Sequence, residues 1–159
     1  MLIFIEGPDG SGKSTLTEQL LKEDLSICQH SVDRLGNVME EYDYYKRKNS
    51  IILFDRSFIT EIVYRIEDGK FVKNFDFFKL IFNLSGRCKI VYCNNNNSFN
   101  DAINRGEDNI TTKNRHDRIS GIYNDLYCIF KNYSDIPIIH YNWRNDSIQD
   151  VINFIKEDK

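Results

Sequence analysis

The residues with the clearest chemical meaning form a glycine-rich segment near the start of the chain, Gly7-Pro-Asp-Gly-Ser-Gly-Lys-Ser14. The segment matches the phosphate-loop pattern G-x-x-x-x-G-K-[ST] at every fixed position. Glycines let such a loop bend so that successive backbone N–H groups point at phosphate oxygens. Lys13 is expected to reach the terminal phosphates of ATP, and the Ser14 hydroxyl to hold Mg²⁺. The predicted phosphate-binding residues are Gly7, Asp9, Gly10, Ser11, Gly12, Lys13, Ser14 and Thr15.

A second charged pair, Asp55 and Arg56, follows the apolar run at 51–54. The carboxyl end of a parallel strand lies at the sheet edge that also carries a phosphate loop. Asp55 can there help to hold Mg²⁺ or accept a proton, and Arg56 offers a fork for two phosphate oxygens. The alternative is a salt bridge between the two that caps the next helix. The chain lacks both the N-K-x-D sequence of regulatory GTPases and the strand-ending Asp-Glu of ATP-driven motors.

Basic residues that could neutralise a transferred phosphoryl group concentrate between residues 102 and 118. The net charge of −3 argues against a nucleic-acid or anionic-membrane surface, so cations for phosphate binding must be local. Arg105 is the first choice for the catalytic cation and Arg115 the second. Gly106 and the polar residues 109–112 suit a mobile lid that closes to exclude water. A solvated, charged helix face is the alternative.

Alternating apolar patterns predict the elements that must position these residues. Parallel strands are expected at 2–5, 25–29, 51–54, 88–93 and 136–141. Helical spacing between them includes Leu16, Leu20 and Leu21, and also Ile59, Ile62, Val63 and Ile66. Further helices are predicted at Phe75–Leu84, around 119–130 and around 148–155. The pattern indicates an α/β fold with a five-stranded parallel sheet and helices on both faces, in a single domain over 1–159.

Composition adds expectations about location and cysteine use. Apolar runs fall short of the roughly 20 residues that span a bilayer, and the first residues already form a strand, so we expect a cytoplasmic protein without a membrane partner. The four cysteines lack paired C-x-x-C spacing, which predicts buried, reduced thiols. The roles of two aromatic features have two interpretations each. A tyrosine among residues 42–45 could stack on a base or pack in a helix. Trp143 could line an adenine site or anchor the last helix.

Three segments resemble thymidylate kinases in the right order over most of the chain. Phe4-Ile-Glu-Gly-Pro-Asp-Gly-Ser-Gly-Lys-Ser-Thr15 is similar to the opening of that family. Asp55-Arg-Ser-Phe-Ile-Thr-Glu-Ile-Val-Tyr64 resembles its D-R-[YFHS]-x-x-S-x-x-x-Y segment, in the short form of phage and viral members. Arg105-Gly-Glu-Asp108 resembles the R-G-E lid sequence. The resemblance implies a three-layer P-loop kinase fold with a lid over about 102–118.

The resemblance also implies roles for residues that bind the phosphate acceptor. Asp9 would lie near the acceptor's sugar, Arg56 would grip its phosphate, and Thr60 and Tyr64 would take the places of the family's Ser and base-pocket Tyr. The R-E-P-G-G segment is absent, and Arg34 is the acceptor-binding candidate in its neighbourhood. Position 65 is Arg where thymidylate kinases commonly have Gln. The chain is shorter than cellular members, so the resemblance leaves a homodimer open.

Three functions follow as hypotheses. The first is ATP- and Mg²⁺-dependent phosphorylation of a deoxynucleoside monophosphate in nucleotide biosynthesis, in a host cytoplasm if the protein is viral. The second is a deoxynucleoside kinase of the same fold, with Asp55 as the base toward a sugar hydroxyl. The third is a nucleotide-binding switch with little catalysis, against which Arg56 and the lid cations argue, because a switch needs no second grip on phosphate.

Overall fold

The computed structural model describes residues 1–23, 27–30, 51–70, 83–106 and 112–157, and of residues 27–30 it describes only the backbone. Within these residues the strands are β1 Leu2–Glu6, β2 Ile27–His30, β3 Ile51–Asp55, β4 Cys88–Cys93 and β5 Ile138–Tyr141. The helices are α1 Lys13–Lys22, α2 Phe58–Glu67, α3 Ser98–Asn104, α4 Lys113–Tyr133 and α5 Ile148–Lys156.

The strands form one parallel sheet in the order β2-β3-β1-β4-β5. β3, β1, β4 and β5 make up the part of the sheet whose side chains are described, and the backbone of β2 continues it beside β3. Ile5 of β1 pairs with Asp55 on one side and with Val91 on the other. The central position of β1 therefore brings the phosphate loop and Asp55 to the same edge, and the predicted α/β class with a parallel sheet is confirmed.

Side-chain alternation along β1 divides the core into two layers. Leu2 and Phe4 belong to a buried cluster that also contains residues of α2 and α4. Ile3 and Ile5 belong to the opposite cluster, with residues of α1 and α5. Helices therefore cover both faces of the sheet, because each face presents a continuous apolar surface that must be removed from water.

Some sequence expectations need correction. Leu21 and Ile66, assigned by spacing to apolar helix faces, are exposed, and each lies in the last turn of its helix, α1 or α2. Cys88 and Cys93 are buried as predicted, but Cys128 is exposed on α4. Most of the helix predicted at Phe75–Leu84 lies outside the described residues. In the part of the chain that is described, each helix is too short or too polar to cross a membrane.

Candidate active site

Glycines allow the phosphate loop, residues 7–12 between β1 and α1, to lie close against neighbouring segments. Gly10 and Gly12 have φ angles of 75° and 94°, in the left-handed region that side chains disfavour. A Cβ atom at Gly10 would collide with the carbonyl oxygen of Ser98. A Cβ atom at Gly12 would lie 2.5 Å from Cδ1 of Trp143. The loop is therefore held between the start of α3 and the segment that follows β5.

Trp143 packs against the core and against the loop together. Its ring is partly buried beside the cluster that contains α1 and α5 residues. The Arg144 guanidinium lies 4.5 Å from the ring centroid, within the range of a cation–π contact, and also binds Asp101 at 2.6 Å. Trp143 therefore anchors the segment before α5, as one of its two sequence interpretations predicted. The other, an adenine-lining role, stays a prediction.

Lys13 is buried at the start of α1, with 6% of its side chain exposed. Its ammonium donates hydrogen bonds of 2.7 Å to the carbonyl oxygens of both Gly7 and Pro8. Burial and the nearby Arg56 guanidinium lower the pKa of Lys13, while the Asp9 carboxylate opposes this shift. The ammonium group therefore lies at the phosphate loop and binds the loop's backbone. When ATP is bound, we expect phosphate oxygens to be its partners.

Asp9 is the centre of the predicted acceptor-binding group. Its carboxylate, 5% exposed, accepts a 2.8 Å hydrogen bond from Arg56 Nη2 at Oδ1 and a 2.9 Å bond from the Tyr64 hydroxyl at Oδ2. Lys13 Nζ lies 4.0 Å from Oδ1. Burial, and then the charge and hydrogen bond of Asp9, raise the pKa of Tyr64, so its hydroxyl remains a donor. The structure thus joins Asp9 of the loop to Arg56 and Tyr64, which lie 47 and 55 positions further along the chain, and these three residues form the Asp9 group.

The turn from β3 to α2 orients Arg56 toward Asp9. Arg56 has a φ of 73°, and its N–H donates to the carbonyl oxygen of Ile5 at 3.3 Å. A left-handed conformation is uncommon for a residue with a side chain and costs on the order of 1–3 kcal/mol. Ser57 then caps α2 by accepting a hydrogen bond from the N–H of Ile59. The alternative of an Asp55–Arg56 cap is wrong, because Ser57 is the cap and Arg56 pairs with Asp9.

Thr60 belongs to a buried network beside the Asp9 group. Its hydroxyl donates to Glu6 Oε2 at 2.7 Å and lies 2.9 Å from the Tyr123 hydroxyl. Glu6 is only 1% exposed, and burial raises its pKa although bonds from Ser57 and Thr60 and the charge of Lys13 act in the opposite direction. Thr60 therefore supports the end of β1, immediately before the phosphate loop.

Asp55 and Ser14 offer the kinds of oxygen atom that the predicted magnesium site needs. Asp55 Oδ1 is buried and has no hydrogen-bond partner among the described residues, although a buried carboxylate oxygen normally requires one. Ser14 and Thr15 are exposed in the first turn of α1. Mg²⁺ accepts oxygen ligands and keeps several waters, so a carboxylate and a hydroxyl suit it. Groups of three or more His, Cys, Asp or Glu that could hold another metal are absent from the described part of the chain.

The two arginines that the sequence assigned to a lid, Arg105 and Arg115, occupy different surroundings. Arg105 directly follows α3 and is exposed. Arg115, in the first turn of α4, donates to Glu67 at 2.9 Å and to Asp68 at 3.3 Å. Arg118 binds the same Glu67 carboxylate at 2.8 Å. These bonds tie the start of α4 to the end of α2, and the Arg118 and Arg115 hydrogen bonds lower the pKa of Glu67.

Two loop-binding residues, Asn95 and His116, were not singled out by the sequence. Asn95 Nδ2 donates to the carbonyl oxygen of Gly10 at 3.2 Å, and His116 Nε2 lies 3.1 Å from the carbonyl oxygen of Asp9. Glu6 was also missed, although an acidic residue that ends an apolar strand before a phosphate loop is a visible signal. Arg34 lies outside the described residues.

Comparisons with known proteins agree with this fold. Neither the family models nor the curated proteins give a match. The crystal structure of the YorR protein from Bacillus subtilis, in complex with phosphorylated GDP, is 21% identical, with a TM-score of 0.73 over 98% of this chain and 96% of that one. A deoxyadenosine kinase from M. mycoides, solved with the products dCMP and dCDP, is 16% identical, with a TM-score of 0.64 over 98% of both chains. The same enzyme with bound dATP has a TM-score of 0.62 at 16% identity, over 99% of this chain and all of that one (100%). The chain therefore shares the fold of these nucleotide-binding proteins.

Proposed function

We propose that this protein transfers the γ-phosphoryl group of ATP to a deoxynucleoside monophosphate and so forms the diphosphate. The observation that carries the proposal is the contact of Asp9, a phosphate-loop residue, with both Arg56 and Tyr64. A loop that only bound and hydrolysed ATP would need no second cationic group at this position. The contact supports an acceptor site beside the donor site, as transfer between two nucleotides requires.

On the donor side, the phosphate loop and Lys13 bind the ATP phosphates. The loop's N–H groups and the start of α1 provide partial positive charge, and Lys13 adds a full charge beside Gly7 and Pro8. Ser14 and Asp55 would hold Mg²⁺, which when bound would neutralise charge on the phosphates. Support for this metal role comes from the unpartnered, buried Oδ1 atom of Asp55.

On the acceptor side, Arg56 binds the monophosphate and Asp9 fixes the guanidinium. Arg56 is about 40% exposed, so donors remain accessible to a ligand while Nη2 binds Asp9. Tyr64 contacts the sugar or base of the acceptor. Thr60 supports this side of the acceptor site through its contacts with Glu6 and Tyr123. Arg34 completes the proposed acceptor group. Arg105 and Arg115 are the proposed sources of charge that stabilises the transition state.

A deoxynucleoside kinase is the second candidate function. Two observations favour it: the fold similarity to a deoxyadenosine kinase, and the unpartnered Asp55 carboxylate oxygen at the strand end. A carboxylate so placed could accept the proton of a sugar hydroxyl as the hydroxyl attacks the γ-phosphate. The base that is accepted, a homodimer, a cytoplasmic location and a phage or viral origin remain predictions for either function.

A coupled assay of ADP release tests the proposal. Purified protein is given MgATP with each common deoxynucleoside and each corresponding monophosphate in turn. The proposal expects ADP release that depends on a monophosphate. Release with nucleosides alone would assign the second function. Release that is the same with and without every acceptor would contradict both kinase functions and indicate simple hydrolysis.

A further inference from the structure

Two buried side chains, His116 and Asn95, contact the backbone carbonyl oxygens of two consecutive residues of the phosphate loop. His116 on α4 lies with Nε2 3.1 Å from the oxygen of Asp9. Asn95, in the segment between β4 and α3, donates from Nδ2 to the oxygen of Gly10 at 3.2 Å. His116 is 5% exposed and Asn95 is 4% exposed, so both bonds are shielded from water. A carbonyl oxygen only accepts hydrogen bonds, so Nε2 of His116 carries the hydrogen.

These bonds determine where the loop's N–H groups point. In a trans peptide the C=O and N–H groups are coplanar and point in opposite directions. A carbonyl of Asp9 that is fixed toward His116 therefore directs the N–H of Gly10 away from His116. The carbonyl of Gly10, fixed by Asn95, likewise sets the N–H of Ser11, which donates to Pro8 at 3.3 Å and closes the turn. If these contacts were absent, glycine at position 10 would leave this peptide free to rotate.

The orientation of His116 is itself fixed by its surroundings. The ring packs edge to face against Phe99, with centroids 5.6 Å apart, and Nδ1 lies 3.5 Å from the Ser120 hydroxyl. His116 is adjacent to Arg115 near the start of α4, within the range predicted for the lid. The contact therefore links α4 directly to the phosphate loop.

We infer that His116 is a positioning residue for the phosphate loop, and that it holds the N–H of Gly10 in the direction needed to bind a phosphate of ATP. Asn95 fixes the adjacent peptide in the same way. This inference rests on the proposed use of the loop for MgATP. It follows that loss of the His116 donor weakens MgATP binding more than acceptor binding, because His116 holds the backbone carbonyl of Asp9, whereas Arg56 and Tyr64 bind its side-chain carboxylate.

Isothermal titration of MgATP into matched variants tests the inference. His116→Gln keeps a donor close to the position of Nε2, while His116→Phe keeps a ring without a donor. Both have room, because the residue borders a cavity of about 230 Å³. We expect His116→Phe to bind MgATP at least about tenfold more weakly than wild type, and His116→Gln to stay within about threefold. His140→Gln, at an exposed histidine on β5, is the control and should bind as wild type does.

Asn95→Asp provides an independent test if His116→Phe fails to fold. The aspartate keeps the oxygen that accepts from the N–H of Asn97 at 2.8 Å, but it replaces the donor to Gly10 with a second oxygen. We expect weaker MgATP binding in a variant whose circular dichroism spectrum shows that it remains folded, although a buried carboxylate that faces a carbonyl oxygen lowers the melting temperature. Binding equal to wild type in folded His116→Phe and Asn95→Asp, with binding lost in Lys13→Ala, would overturn this inference alone. Wild-type protein that does not bind MgATP would overturn the proposed function as well.

Discussion

Arg56 Nη2 and Asp9 Oδ1 are 2.8 Å apart, so the residue that directly follows β3 is bound to a residue of the phosphate loop that follows β1. The pair is 47 positions apart in sequence. Burial is the largest single influence on the pKa of Arg56 and lowers it, but Asp9, together with Tyr64, Tyr123 and Asp55, raises it overall, so the guanidinium stays charged. This charged pair therefore holds Arg56 against the phosphate loop.

Removal of the Arg56 guanidinium should weaken acceptor binding selectively. Because the side chain is about 40% exposed, we expect the lower end of the range for a lost charged hydrogen bond, about 2 kcal/mol or roughly 30-fold in acceptor KM. The KM for ATP should change far less in Arg56→Ala. Steady-state kinetics with each substrate varied in turn measure the two values. Arg87→Ala, an exposed arginine before β4, is the control, and equal effects of Arg56→Ala on both substrates would place Arg56 elsewhere.

The lid arginines should act on turnover instead of on ATP binding. Arg105→Ala should lower kcat by at least about tenfold, or about 1.4 kcal/mol of barrier, while the equilibrium Kd for ATP stays nearly unchanged, because the proposed contact forms in the transition state. Arg115→Ala is the comparison. Arg118→Ala is the matched control, since Arg118 binds the same Glu67 carboxylate as Arg115. If neither Arg105→Ala nor Arg115→Ala lowers kcat to this extent, the lid does not supply the catalytic cation.

The sequence predicted those parts of the fold that depend on local pattern. Apolar runs predicted the strands to within two residues at their ends, because the strands of a parallel sheet covered by helices are rich in apolar side chains. Position within a helix was harder to predict: Leu21 and Ile66 fit the apolar spacing, but each lies in a last turn and is exposed. Spacing alone does not show where a helix ends relative to the sheet.

The site could be predicted only where a motif carries it. Lys13, Asp55 and Arg56 lie in recognisable segments, and the structure places them at one edge of the sheet. His116 and Asn95 bind the loop's carbonyl oxygens, and such a contact leaves no pattern in the sequence because it depends on how α4 and the segment after β4 pack. In the sequence, Glu6 is simply the residue that ends an apolar strand. Its raised pKa follows from its burial, which only the structure shows.

Glu6 predicts a distinctive dependence of stability on pH. Burial raises its pKa in the folded protein, so the folded state holds this proton more tightly than the unfolded state does. Its contribution to the free energy of unfolding is complete below the unfolded pKa of about 4.5 and is lost as pH rises through the higher folded value. Glu6→Gln removes the titration but keeps an oxygen to accept from Thr60.

Urea unfolding at a series of pH values tests this prediction. Between about pH 5 and pH 8, the unfolding free energy of Glu6→Gln should gain on that of wild type as pH rises. Other titrating groups cancel in the difference between the two proteins. A difference that stays constant across this range would show that Glu6 ionises in the folded protein as readily as in the unfolded chain.

In the proposed reaction, the phosphate loop and the Asp9 group together move a phosphoryl group from ATP to a deoxynucleoside monophosphate. The measurement that tests it follows the label of γ-labelled ATP into products separated by chromatography, for wild type and for Lys13→Ala. A circular dichroism spectrum of Lys13→Ala checks that the variant is folded. We predict label in the β-phosphate of a deoxynucleoside diphosphate with wild type, and a rate at least about tenfold lower with Lys13→Ala. Label found only in inorganic phosphate, or only in a monophosphate made from a nucleoside, would contradict transfer to a deoxynucleoside monophosphate.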